Sequence, residues 1–198
     1  MDRLKNSRII PIALVIILAI LAIAGLVSLA RIVFFSGSST TATDIGRDSL
    51  LSTTVDRSVR MTVRGAIVGD DIFRSYQVTV TPSHRDLTTF TGYIPQQNKQ
   101  IALGNNIPAY DQFVHALDRA SFASGTELTG DSNDTRGICA TGRLYTFEIL
   151  NAGKAVKTLW TTTCSSAKGS LTAQLSTVRA LFTAQIPNAS ATINTLDL

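Results

Sequence analysis

From Ile9 to Ala30 the chain reads IIPIALVIILAILAIAGLVSLA, 22 residues without a charge, and no other stretch constrains its fold as much. At a rise of about 1.5 Å per residue a helix of this length spans roughly 33 Å, enough to cross a hydrocarbon core of about 30 Å. A core helix of a water-exposed domain would need a polar face, and this run has none. A cleavable signal peptide competes, because Ser28-Leu29-Ala30 offers small residues at cleavage spacing. The apolar region of such a peptide usually spans only about 7–15 residues. The run therefore predicts an uncleaved signal anchor that inserts into a lipid bilayer through residues 9–30.

Charge sets the expected orientation. Arg3, Lys5 and Arg8 precede the run, offset only by Asp2, whereas Arg31 and the uncharged FFSGSSTTAT follow it. The positive-inside rule puts the N-terminus in the cytoplasm and the rest outside the cell membrane. The formal net charge is +4, but these residues account for most of it. Without Arg3, Lys5, Arg8, Arg31 and Asp2, 14 basic residues face 13 acidic ones. No basic cluster with interleaved aromatics appears, so nucleic acid is not an expected partner.

The expected organisation is a tail (1–8), the transmembrane anchor and its flank (9–35), a Ser/Thr-rich tether with a short helix (36–56) and an extracytoplasmic domain (57–198). In that domain VRMTVRGAI and SYQVTVTP alternate apolar and polar residues with the period of a strand. LTTFTGYIP follows after Ser83-His84-Arg85-Asp86, and KQIALG extends the set. Asn106 and Pro108 mark a helix start, and Tyr110, Phe113, Val114 and Leu117 line one face of that helix. Two strands around a NAGK turn follow, then a last helix capped by Ser170 and ended by Pro187. The predicted class is α+β: the transmembrane helix, then an antiparallel sheet packed with two helices in the order strands, helix, strands, helix.

Cys139 and Cys164 are the only cysteines. If Ala152-Gly153 is the turn centre, each cysteine lies diagonal to the other on one face of the hairpin. A turn at Asn151-Ala152 makes them direct partners. Outside the cytoplasm such a pair forms a structural disulfide. Cys-x-x-Cys is absent, and His84 and His115 are the only histidines, which argues against a redox or zinc site.

No catalytic residue, cofactor or metal site is expected. Asp131, Asn133 and Asp134, with Glu127 nearby, come nearest to a set of oxygen ligands for calcium. They depart from the EF-hand pattern, with Arg136 at the sixth position and no acid at the twelfth. A solvated loop of Asx turns accounts for the same residues. His115 reads as a surface histidine on the flank of its helix, and Gly69-Asp70-Asp71 as a turn.

The stretches RSVRMTVRG, NNIPAYDQF, DTRGICATGRLY and LWTTTC together resemble an uncharacterised family of single-pass, membrane-anchored bacterial envelope proteins, over about residues 44–188 plus the anchor. The resemblance implies a bacterial cell envelope setting and carries over no site. The function expected is a tethered, non-enzymatic interaction or surface domain whose partner is another envelope or extracellular protein. Alternatives are a pilin-like or other structural subunit of an envelope assembly, and an enzyme acting on the outer side. A pilin shares the layout of one apolar helix and an α+β head, but its cleavage motif is missing from Ser7-Arg8-Ile9-Ile10-Pro11.

If the run is an anchor, full-length protein should stay with the membrane fraction through high-salt and alkaline washing. Recovery of most of it in the medium, beginning at Arg31, would reject the anchor.

Overall fold

The computed structural model describes residues 45–198. The tail, the anchor, its orientation and residues 36–44 of the tether segment lie outside the described residues. No helix among the described residues is long and apolar enough to cross a membrane.

The described chain is an α+β fold built on six antiparallel strands. The central one, β1 (Arg57–Arg64), shows the expected alternation. Val59, Met61 and Val63 are fully buried, while Arg60, Thr62 and Arg64 point to the other face. It pairs on one side with β2 (Arg74–Val80), which pairs with β3 (His84–Thr91), which pairs with β4 (Gln96–Gly104). On its other side β1 pairs with β5 (Leu144–Asn151), which forms a hairpin with β6 (Lys154–Thr162). The spatial order is thus β4-β3-β2-β1-β5-β6.

Alternating antiparallel pairs make β4 and β5 run in the same direction, so the link between them must cross the sheet. That crossing contains α2 (Ile107–Arg119). Asn106 caps it as its sequence suggests, its Oδ1 accepting from the Ala109 N–H at 2.9 Å. Tyr110, Phe113, Val114 and Leu117 turn inward. They meet Val59, Met61, Val78 and Phe147 of the sheet and Val178 and Phe182 of α3 (Leu175–Thr183) in one core. Phe182 sits edge-on to Phe113, with ring centroids 5.4 Å apart. A short α4 (Ala189–Ile193) closes the chain.

The short helix expected ahead of the sheet is α1 (Ile45–Leu51), but it belongs to the domain and not to the tether, since its Leu50 is fully buried in the core. The helix that the sequence did not suggest is α4. Arg47 of α1 grips Asp118 of α2 through both carboxylate oxygens, at 2.6 and 2.8 Å. That grip, through its hydrogen bonds first, holds the Asp118 carboxyl below the usual carboxylate range.

Two boundaries also differ. β3 begins at His84, because Thr81 and His84 close a turn around Pro82-Ser83 in which the Thr81 N–H donates to the His84 carbonyl at 2.8 Å. The last long helix begins at Leu175, and Ser170 does not cap it. Ser170 Oγ accepts from the Trp160 N–H at 3.0 Å, and the Leu171 N–H donates to the Trp160 carbonyl at 3.0 Å. The segment before α3 is therefore a strap along the β6 edge. Pairing with that strand satisfies backbone groups that a helix starting at Ser170 would have left facing it.

The strap passes so close that only glycine fits at two points. A Cβ on Gly169 would lie 1.9 Å from the Trp160 carbonyl oxygen, and one on Gly125 2.1 Å from the Ser170 carbonyl oxygen. Gly169→Ala should therefore lower unfolding stability by about 2 kcal/mol, as forced overpacking does. Urea denaturation followed by the fluorescence of Trp160 measures it, and an unchanged midpoint would show that the strap can lift off freely.

Candidate functional site

Apolar side chains in a turn between strands need an explanation, and the β1–β2 connection carries several. Ile67, Val68 and Ile72 flank Gly69-Asp70-Asp71 and are 48%, 41% and 54% exposed. The turn itself is tightly made. The N–H groups of Ile72 and Phe73 both donate to the Gly69 carbonyl, at 3.1 and 2.9 Å.

The β3–β4 turn locks onto this loop. The Tyr93 ring stacks on Phe73 with centroids 4.2 Å apart. Its hydroxyl donates to the Val68 carbonyl at 2.8 Å, and its N–H donates to Asp70 Oδ1 at 2.6 Å. Gly92 adopts a positive φ of 82°, which aims Tyr93 at the loop, and a Cβ there would meet Asp70 Oδ1 at 3.3 Å. Arg64 lies over the outer side of Phe73, 5.4 Å from the ring centre. Such a stack is rigid and partly apolar, with a cation at its rim.

The disulfide builds the other wall. Cys139 and Cys164 are bonded, with Cα atoms 5.7 Å apart. The hairpin geometry expected from sequence holds only near the turn. Ala152 and Gly153 form its centre with φ of 48° and 76°, the left-handed pair that a tight hairpin turn demands. A bulge between Ile149 and Leu150 then shifts the register by one. The regular ladder ends at Leu144↔Thr162, so neither cysteine is a strand residue of the hairpin. The chain instead turns back at 139–142, and the bond closes over Gly142. A Cβ at that position would lie 2.7 Å from Cys139 Sγ and 3.1 Å from Cys164 Sγ. The loop so fixed reaches the β1–β2 connection, where the Ile67 N–H donates to the Ala140 carbonyl at 2.8 Å.

Between these walls lies a groove of about 200 Å³, lined chiefly by Ile67, Phe73, Tyr93, Ile138 and Leu144, with Arg64 at its edge. Arg136 also borders it, but its charge is engaged. Its side chain and N–H hydrogen-bond Asp134 and hold that carboxyl down to about 2. The groove can therefore bury an apolar side chain. No Asp, Glu or His side chain is in its lining.

The residues singled out for calcium are not gathered into a cage. Asn133 Oδ1 accepts from the Trp160 indole N–H at 3.0 Å, Glu127 Oε1 accepts from the Thr158 N–H at 2.6 Å, and Asp134 faces Arg136. Asp131 lies in the short helical turn Gly130–Asn133. Among the described residues no group of three acidic, histidine or cysteine side chains could hold a metal ion. His115 is on the exposed side of α2, 3.6 Å from Asp111. His84 stands between Ser83 Oγ at 3.1 Å and Asp86 Oδ2 at 3.4 Å, a hydroxyl–imidazole–carboxylate sequence that the residue order alone did not suggest. Thr81 Oγ1 accepts the N–H groups of both Ser83 and His84 there. That network braces the β2–β3 turn and does not border the groove.

Sequence reasoning missed the groove because its lining comes from separated stretches. The available signal was the placement of Ile67, Val68 and Ile72 around a Gly-Asp-Asp turn, where polar residues are the rule. Among known proteins, no family model matches this chain and no curated protein matches it.

Without the disulfide the groove should lose one wall. Native protein should show no free thiol and should give a Cys139–Cys164 linked peptide on mass mapping. The bond closes a loop with a sequence separation of 25, and its removal in a Cys139→Ser, Cys164→Ser double variant should cost roughly 3 kcal/mol. Titration of two reactive thiols in the native protein would overturn this.

Proposed function

We propose that this chain is a membrane-tethered, extracytoplasmic interaction domain that holds a protein partner at the groove beside the disulfide. The observation that carries the reading is the cluster of exposed apolar side chains, Ile67, Val68, Ile72 and Ile94, around the rigid Phe73–Tyr93 stack. Such side chains lower solubility unless something covers them, and grouped exposure at a groove is the usual mark of a docking surface. The partner segment fitted to it presents one large apolar side chain to the groove and an acidic group to Arg64. The tether follows from the 22-residue apolar run and the basic residues before it. The disulfide suits an oxidising compartment outside the cytoplasm.

The reading is non-enzymatic. The groove lining supplies walls and a rim charge, and catalysis would need a nucleophile or a base aimed into it. Binding of this kind needs a preformed surface, and the disulfide, the Gly142 contact and the Tyr93 bonds to the loop supply the rigidity.

A photo-cross-linking residue placed at Ile72 of the full-length protein in cells should give one discrete protein adduct. Ile67→Asp in the same chain should abolish it, and the same probe at Lys154, the first residue of β6, should give none. Equal labelling from both positions, or labelling unaffected by Ile67→Asp, would rule out the groove as the docking surface.

A further inference from the structure

On the side of the sheet that carries the helices, a second cavity of about 340 Å³ opens between the sheet and the last two helices. Tyr76 lines it from β2, Arg143 from the residue before β5, Arg179 from α3 and Asn194 from the end of α4, with Ile193 and Leu196 as its apolar part. Four stretches far apart in sequence thus bring two guanidinium groups, a phenol and an amide around one space. No Asp or Glu side chain lines it.

The polar groups are incompletely used. Among the described residues Arg179 has no carboxylate within ion-pair distance. The Arg143 side chain has one acceptor, the Leu198 carbonyl oxygen at 3.4 Å. Tyr76 is 2% exposed, yet its hydroxyl meets no hydrogen-bond partner among the described residues. That hydroxyl is reached from the cavity and is not sealed in the core. A phenol so deeply buried usually finds a partner. Burial, with Tyr145 beside it, pushes this one up to about 12 against the opposite pull of Arg179 and Arg143, so it remains a donor at neutral pH.

We infer that this cavity binds a small amphiphilic anion, with its carboxylate or phosphate head held by Arg143, Arg179 and the Tyr76 hydroxyl and its short aliphatic body against Ile193 and Leu196. The size falls in the range of small-molecule sites, about 300–1,000 Å³. Two arginines with no Asp or Glu side chain in the lining favour an oxyanion, because guanidinium groups offer paired donors that match its geometry. The apolar side of the lining selects a head with a hydrocarbon body over a bare inorganic ion. The head can belong to a water-soluble metabolite or to a membrane lipid, and the two sources share this chemistry.

The test is calorimetric titration of hexyl phosphate into full-length protein in micelles of an uncharged detergent, with and without added phosphatidic acid. Binding in the millimolar range or tighter is expected, with hexanol and inorganic phosphate each binding at least about tenfold more weakly. Arg179→Ala should weaken hexyl phosphate about tenfold, and Tyr76→Phe severalfold. Neither variant should change the melting temperature of the free protein, since Arg179 is exposed and the Tyr76 hydroxyl has no partner to lose. Competition by phosphatidic acid would assign the site to a lipid head, and its absence to a soluble ligand. The inference is overturned if hexyl phosphate does not bind, if hexanol binds as well, or if both variants bind like the native chain.

Discussion

The pairing of β1 on both of its edges is the constraint on which the rest of this structure depends. Val59, Met61 and Val63 lie fully buried on one face of that strand. On each side a neighbouring strand matches them residue for residue, Val80, Val78 and Tyr76 from β2 and Ile149, Phe147 and Tyr145 from β5. A slip of one residue on either side would turn this apolar row to the polar face. The strand therefore sets the register of the meander that follows it and of the hairpin that returns to it. α2 must cross between the two for that return to occur, and its apolar face covers the row once it is there.

At one end of this frame two surfaces of different chemistry are held back to back. Arg64 and Leu144 border the groove on the face away from the helices, whereas Tyr76 and Arg143 border the arginine-lined cavity on the helix side. Neighbouring residues of a strand point to opposite faces, so one sheet end can carry both. Neither surface would keep its shape if the connections were loose. The disulfide over Gly142 and the Tyr93 bonds to the β1–β2 loop fix the first, and packing of the C-terminal residues against the sheet fixes the second. A Cβ on Gly65 would lie 2.9 Å from Leu198 Cα, which shows how closely they approach.

Most of the regular architecture was legible residue by residue. Alternation in β1 and β2, the Asn106 cap with Pro108 after it, and the apolar face of α2 are local signals, and local hydrogen bonding and side-chain periodicity enforce them. Ser170 shows where local signals stop. It resembles a helix cap, but an adjacent strand edge with unpaired backbone groups claimed it first. The cysteines are a similar case. Their bonding agrees with the sequence reading, but by a different route, because the ladder ends at Leu144↔Thr162, short of both cysteines, and the turn at 139–142 brings them together. α1 was read as a short helix of the tether, while burial of Leu50 places it in the core.

By itself the sequence determined the class of fold, most of its strands, the α2 face and the cysteine pair, together with an apolar run of membrane-spanning length. These rest on periodicity, capping and composition, which act over a few residues. Only the tertiary structure decided the strand order, the strap beneath Trp160, the groove beside the disulfide and the cavity of Arg143, Arg179 and Tyr76. Each joins residues from separate elements, and long-range packing brings them together only after the central strand has chosen its two neighbours.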